Sequence, residues 1–120
     1  MTNRAEELKQ RTKGFVIRIV KLFRSLPRTP ESQIIGKQLL RSGTSVGANY
    51  RAACRARSKA EFISKMGTVV EEADETIFWL ELLVETSIVP QKRMALLLAE
   101  ANELLAIFAA SQITAKNVRS

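Results

Sequence analysis

At 120 residues, 46 % hydrophobic and 26 % charged, the chain has the size and balance of one globular domain, too short for two. It has no histidine and one cysteine, Cys54. That composition excludes a Ser–His or Cys–His nucleophile, a lone-cysteine zinc site and an intramolecular disulfide. The formal charge of +7 is segregated: residues 1–30 carry eight cations and two acids, 31–60 six and one, 61–90 one and seven, and 91–120 four and two. Such segregation lets basic and acidic surfaces meet between copies and leaves a basic excess for an anionic partner.

The first segment has no apolar signal core, and no uninterrupted apolar run approaches the roughly 18 residues of a membrane span. A cytoplasmic protein without membrane association is expected. A helix is predicted over residues 5–26, where Phe15, Ile19, Leu22 and Leu26 recur at 4-3-4 spacing with Val16, Val20 and Phe23 beside them. Arg4, Arg11 and Arg18 recur every seven residues on another face. Pro27 and Pro30 are expected to end this helix.

Residues 31–57 allow two readings. Locally, Leu40 to Ser45 looks like a glycine C-cap followed by a fresh N-cap. At about 100° per residue, however, Gly36, Gly43, Gly47 and Cys54 fall on one narrow strip. Ile35, Leu39, Val46, Tyr50 and Ala53 line up beside it, and Lys37, Arg41, Arg51 and Arg55 share another face. Phase kept across the supposed break favours one continuous helix. The third helix, 59–86, starts on a capping box, Ser58-Lys59-Ala60-Glu61. Its stripe is Phe62, Met66, Val69, Ala73, Ile77, Leu80 and Val84. Phe78, Trp79 and Leu82 point off that stripe, which predicts a second buried surface, most simply a subunit interface.

The fourth helix, 90–116, opens at Pro90 and carries Met94, Leu97, Leu98, Ala101, Leu104, Leu105 and Phe108 before a basic tail. Strand signals are almost absent. The fold class predicted for residues 1–120 is therefore all-α, a single antiparallel up-down-up-down four-helix bundle.

No catalytic residue, metal site or cofactor is expected. The Gly43/Gly47 pair lacks the glycine-lysine-hydroxyl ending and the preceding strand of a phosphate loop. Glu71 with Glu75, and Glu81 with Glu85, lie off the core stripe and read as solvated or salt-bridged acids. Binding remains. Arg11, Arg18, Lys37, Arg41, Arg51 and Arg55 suit a phosphate backbone, which is recognised through charge rather than sequence. No aromatic set is interleaved with them for base stacking. The same cations could instead pair with the acidic third helix of a neighbouring copy.

Lys37-Gln38-Leu39-Leu40-Arg41-Ser42-Gly43-Thr44-Ser45-Val46-Gly47-Ala48-Asn49, then Ala53, Arg55, Ser58-Lys59-Ala60-Glu61-Phe62, and Glu72-Ala73 through Thr76 to Trp79-Leu80-Glu81-Leu82-Leu83, closely resemble the four-helix-bundle proteins encoded in intervening sequences of bacterial 23S ribosomal RNA genes. That resemblance covers most of the chain. It implies a closed antiparallel bundle, a continuous second helix, a ring-like homopentamer and nucleic acid, RNA ahead of DNA, as partner. A related branch, the accessory proteins of diversity-generating retroelements, looks like the same bundle and binds a reverse transcriptase with its RNA template. A reverse transcriptase is thus a second candidate partner. Neither branch supplies a catalytic residue to carry over.

Overall fold

The apolar stripes become four long helices in the computed structural model, which describes residues 4–118. They are α1 (Arg4–Ser25), α2 (Pro30–Cys54), α3 (Lys59–Glu85) and α4 (Gln91–Asn117), with no strand among the described residues. Cross-helix pairs give the register. Gly36 lies against Leu26 and Phe23, Gly43 against Ile19, and Gly47 against Val16, so α1 and α2 run antiparallel. Ser42 meets Thr76 between α2 and α3, and Gln112 Nε2 donates to the Ile63 carbonyl between α3 and α4 at 3.1 Å. Arg93 on α4 donates to Ser25 Oγ at the end of α1, which makes that pair antiparallel too. The topology is up-down-up-down. One core runs its length, from Leu26, Leu83, Val89 and Met94 at one end to Tyr50, Met66 and Phe108 towards the other.

α2 passes through Gly43 and Gly47 without a break, as phase predicts. The reason is packing. A Cβ on Gly43 would sit 2.9 Å from Ile19 Cγ2, and one on Gly47 2.7 Å from Val16 Cγ2. The glycines let the backbone of α2 lie directly on β-branched side chains of α1. Each interior glycine costs about 0.5–1 kcal/mol of helix propensity, so the close approach has to compensate.

Two boundaries differ from expectation. α2 stops at Cys54 rather than 57, because Arg55 takes φ −105° and ψ 11° and the amides of Arg55 and Ala56 turn back to the carbonyls of Ala52 and Ala53. Pro30 opens α2 instead of ending α1, since proline's missing N–H is harmless in a first turn and Thr29 supplies the cap. The capping box is also half realised. Ser58 accepts from the Glu61 amide at 3.0 Å, but the Glu61 carboxylate takes the amide of Arg57 rather than that of Ser58.

α3 ends in a Schellman motif that has no glycine. Ser87 N–H bonds to the Val84 carbonyl and Ile88 N–H to the Leu83 carbonyl, with Ser87 at φ 61°. Buried hydroxyls are satisfied within the helices: Thr12 donates to Leu8, Ser42 to Leu39 and Thr76 to Glu72. Among the described residues no buried side-chain N or O atom lacks a partner.

The seam between α1 and α4 is the sparsest of the four. It is closed by Arg11, whose Nε and Nη2 reach Glu100 at 2.8 and 2.6 Å, with Glu103 at 2.9 Å. The Arg11 bonds hold the Glu100 carboxyl below its ordinary value of 4.5 against the opposing effect of burial, and Arg18 adds to the lowering.

The packing can be tested at both seams. Gly43→Ala should destabilise the chain by about 1–3 kcal/mol in urea denaturation, because Ile19 is fully buried and stiff at the contact. Gly14→Ala, with nothing within 4 Å of its Cβ, should instead stabilise by about 0.5–1 kcal/mol. Between α1 and α4, Arg11→Ala should cost about 1 kcal/mol at pH 7. Glu100 has a lowered folded pKa, so its contribution is fully present above pH 4.5 and lost as pH falls through the lowered value. The stability gap between Arg11→Ala and the parent should therefore close on acidification, as read by denaturation at a series of pH values.

Candidate nucleic-acid interface

The six cations expected to bind phosphate do not form one free face. Arg11 is spent on Glu100 and Glu103. Arg41 is spent on α3, reaching Glu72 Oε2 at 3.3 Å and also Glu75, while its Nε donates to Gln38 on its own helix. Trp79 Nε1 donates to the same Glu75 oxygen at 2.9 Å, so Arg41, Glu75 and Trp79 form one network across α2 and α3. The acidic third helix thus takes a cation from its own chain. Arg18 is exposed on α1 and acts on Glu100, and Lys37 is exposed on α2.

Arg51 and Arg55 are different. Both are exposed, and neither makes an ion pair among the described residues. They face Lys9 and Lys13 of α1 across a cleft of about 350 Å³. Its remaining wall is Val16, Thr44, Gly47, Ala48 and Tyr50, with Gln10 and Thr12 at the α1 side. A shallower groove of about 470 Å³ adjoins it, sharing Ala48, Arg51 and Arg55 and adding Arg57 and Lys65. Glu61 is the acid on its edge, and the Arg57 amide already occupies it. Lys9 has only a long i,i+3 contact to Glu6, 3.4 Å.

The local fold places these groups. The glycine register sets Arg51 and Arg55 opposite the Lys9–Lys13 turn of α1. The early stop of α2 puts Arg55 at the C-cap and Arg57 in the turn, where cations also complement the negative end of the helix. Tyr50 closes the cleft from below. Its ring packs on Phe108, centroids 5.2 Å apart. Burial, and then the hydrogen bond with Cys54, push its hydroxyl pKa upward, so it stays a neutral phenol.

Sequence reasoning found Arg51 and Arg55 but missed Lys9, Lys13, Arg57 and Lys65. The signal available was the i,i+4 spacing of Lys9 and Lys13, which means little until the α1–α2 register is known. No three His, Cys, Asp or Glu side chains gather as a metal-binding set among the described residues.

Of the three residues expected at a subunit interface, Phe78 is 53 % exposed, while Trp79 and Leu82 are half-buried. Phe78 stands edge-on to Trp79, centroids 4.9 Å apart. The pairing of Arg41 with Glu75 sets Ile34, seven residues earlier and 66 % exposed, level with Leu82. Ile34, Phe78, Trp79 and Leu82 thus make an apolar patch along the α2–α3 seam.

α4 carries a second apolar surface. Ala95, Ala99, Ala106 and Ala110 recur opposite its buried Met94, Leu97, Ala101, Leu104 and Phe108, with Leu96 78 % exposed and Ile113 57 % exposed at the flank and end. By length and composition α4 could cross a membrane. A core helix meets the same criterion, and α4 keeps five residues in the core and Glu100 in a salt bridge near its middle.

Comparison with known proteins agrees with this fold. The family model described as 23S rRNA-intervening sequence protein matches residues 4–110. A solved structure, a protein of unknown function from the S23 ribosomal protein family of Bacteroides thetaiotaomicron VPI-5482, superposes with a TM-score of 0.85 at 34 % identity, covering 92 % of this chain and 98 % of its own. No curated protein matches. With its four antiparallel helices and a match running nearly from end to end, the chain belongs to the 23S rRNA-intervening sequence protein family.

Proposed function

We propose that this protein is a non-catalytic scaffold that assembles with copies of itself and binds nucleic acid, RNA ahead of DNA, through the groove where Arg51 and Arg55 meet Lys9, Lys13, Arg57 and Lys65. One observation carries the reading: these cations converge from α1, α2, the following turn and α3 around adjoining clefts, where Glu61 is the single acid among the lining residues. Counter-ions released from a phosphate backbone would drive such binding. The family's name links it to ribosomal RNA genes, which supports RNA as the first partner to test.

The test separates free from spent cations. In binding to a structured RNA measured across a salt series, Arg51→Ala/Arg55→Ala should weaken affinity and lower the log–log salt slope by about 2, one for each phosphate no longer neutralised. Arg11→Ala and Arg41→Ala should leave that slope unchanged. Equal effects from both pairs would remove the groove from the reading.

Assembly is supported by the two apolar patches, which lie on different elements. A ring built head to tail needs two unlike surfaces, whereas a two-fold dimer uses one surface twice. In sedimentation, Phe78→Glu and Leu96→Glu should each abolish the higher oligomer. An equimolar mixture of the two should recover a heterodimer, because one intact patch remains on each partner. A mixture that stays monomeric would count against head-to-tail assembly.

A further inference from the structure

Phosphate binding accounts for the cations but not for the recess between them. A duplex offers a cationic surface its phosphates, and an unbroken surface would serve as well. Here the cations stand around a cleft of about 350 Å³, within the range of small-ligand sites.

Its floor is apolar, and the two threonine hydroxyls on it are already engaged. Val16 and Ala48 contribute aliphatic surface, and at Gly47 the α2 backbone lies directly against Val16, which closes the bottom with apolar atoms. The Thr12 hydroxyl donates to the Leu8 carbonyl at 2.6 Å, and that of Thr44 to the Leu40 carbonyl at 2.7 Å. No aromatic ring presents a face to the cleft, since Tyr50 is 5 % exposed and packs tilted against Phe108. Flat stacking partners are nevertheless present. The guanidinium planes of Arg51 and Arg55 can lie on a base, while the ammonium groups of Lys9 and Lys13 act as point charges.

We infer that this cleft takes one unpaired nucleotide of an RNA strand, its base between the apolar floor and the arginine planes and its flanking phosphates on the lysines. The inference rests on the nucleic-acid reading above and adds to it that the ligand must present an unstacked base. With the floor hydroxyls turned to their own helices, the base is held mainly by shape and stacking, and the Gln10 carboxamide at the α1 side, loosely bonded to Glu6, is the neutral polar group that can meet its edge, so selection among the four bases is weak.

The test is a fluorescence-anisotropy comparison of an RNA hairpin with a wide unpaired loop and a fully paired RNA of equal length, at one salt concentration. The parent protein should prefer the loop by roughly tenfold, the scale of one stacked base. Two variants keep the charge. Ala48→Leu fills the cleft from an exposed position in mid-helix, and Arg51→Lys/Arg55→Lys removes the planes. Both should bring the loop-to-duplex ratio to about one, with helical circular dichroism as in the parent showing that the fold is kept.

Equal binding of loop and duplex by the parent overturns the inference while the nucleic-acid reading stands. So does a loop preference that survives Ala48→Leu. Binding of neither RNA overturns both. Displacement of the hairpin by a free nucleoside monophosphate as effectively as by unlabelled hairpin would also overturn it, because a strand spanning several cations should hold far more tightly than one phosphate.

Discussion

Between α1 and α2 the chain gives up side chains at three levels, Gly36, Gly43 and Gly47, so that the backbone of one helix rests on the side chains of the other. The three contacts are unequal. At Gly36 the neighbour is the far end of Leu26, which could swing aside, whereas at Gly43 and Gly47 it is a branch carbon of Ile19 or Val16, close to the α1 backbone. The lower two glycines therefore set how near the helices lie. That distance decides whether Arg51 and Arg55 share a cleft with Lys9 and Lys13 or stand apart as ordinary surface cations. The proposed binding site is a consequence of helix packing.

Charge is then sorted by what each cation can reach. Arg11 and Arg41 sit level with pairs of glutamates one turn apart on a facing helix, and both take them in forked geometry. The planar guanidinium makes such pairs specific, so they fix the α1–α4 and α2–α3 registers while adding modestly to stability. Towards the N-terminal end of α1 and the end of α2 the facing elements offer few acids. Cations there keep their charge for a partner. The net +7 is thus less informative than what remains of it after internal pairing.

The four helices, their order and the continuity of α2 were legible because apolar period, proline position and the in-phase glycine strip all pointed the same way. Their ends were less so. Ser87 closes α3 in the left-handed region where a glycine would have announced itself, and Arg55 ends α2 with no breaker residue at all. The site was half legible. Helical phase put Arg51 and Arg55 together, but it also grouped them with Arg41, because phase along one helix says nothing about which acids stand opposite. Lys9 and Lys13 join the site only through the α1–α2 register, a tertiary fact that no single-helix pattern contains.

The outward face of α4 escapes a reading of apolar stripes for a related reason. Alanine counts as neutral in such a pattern, and Leu98 and Leu105, half-buried at the edge of the core, draw attention to the inner side. On a solvated helix the positions opposite the core are ordinarily charged. Here Ala95, Ala99, Ala106 and Ala110 hold most of them, with Asn102 and Glu103 exposed midway, and the small side chains at either end allow another helix to approach closely. The patch around Ile34 and Phe78 is of the opposite kind, built from large side chains that project. A surface of small side chains flanked by Leu96 and Ile113 and a surface of large ones differ in shape, so each suits the other better than a copy of itself. That shape difference, more than the amount of exposed apolar area, is the physical argument for a head-to-tail contact between copies, and repetition of one such contact closes a ring when the rotation permits.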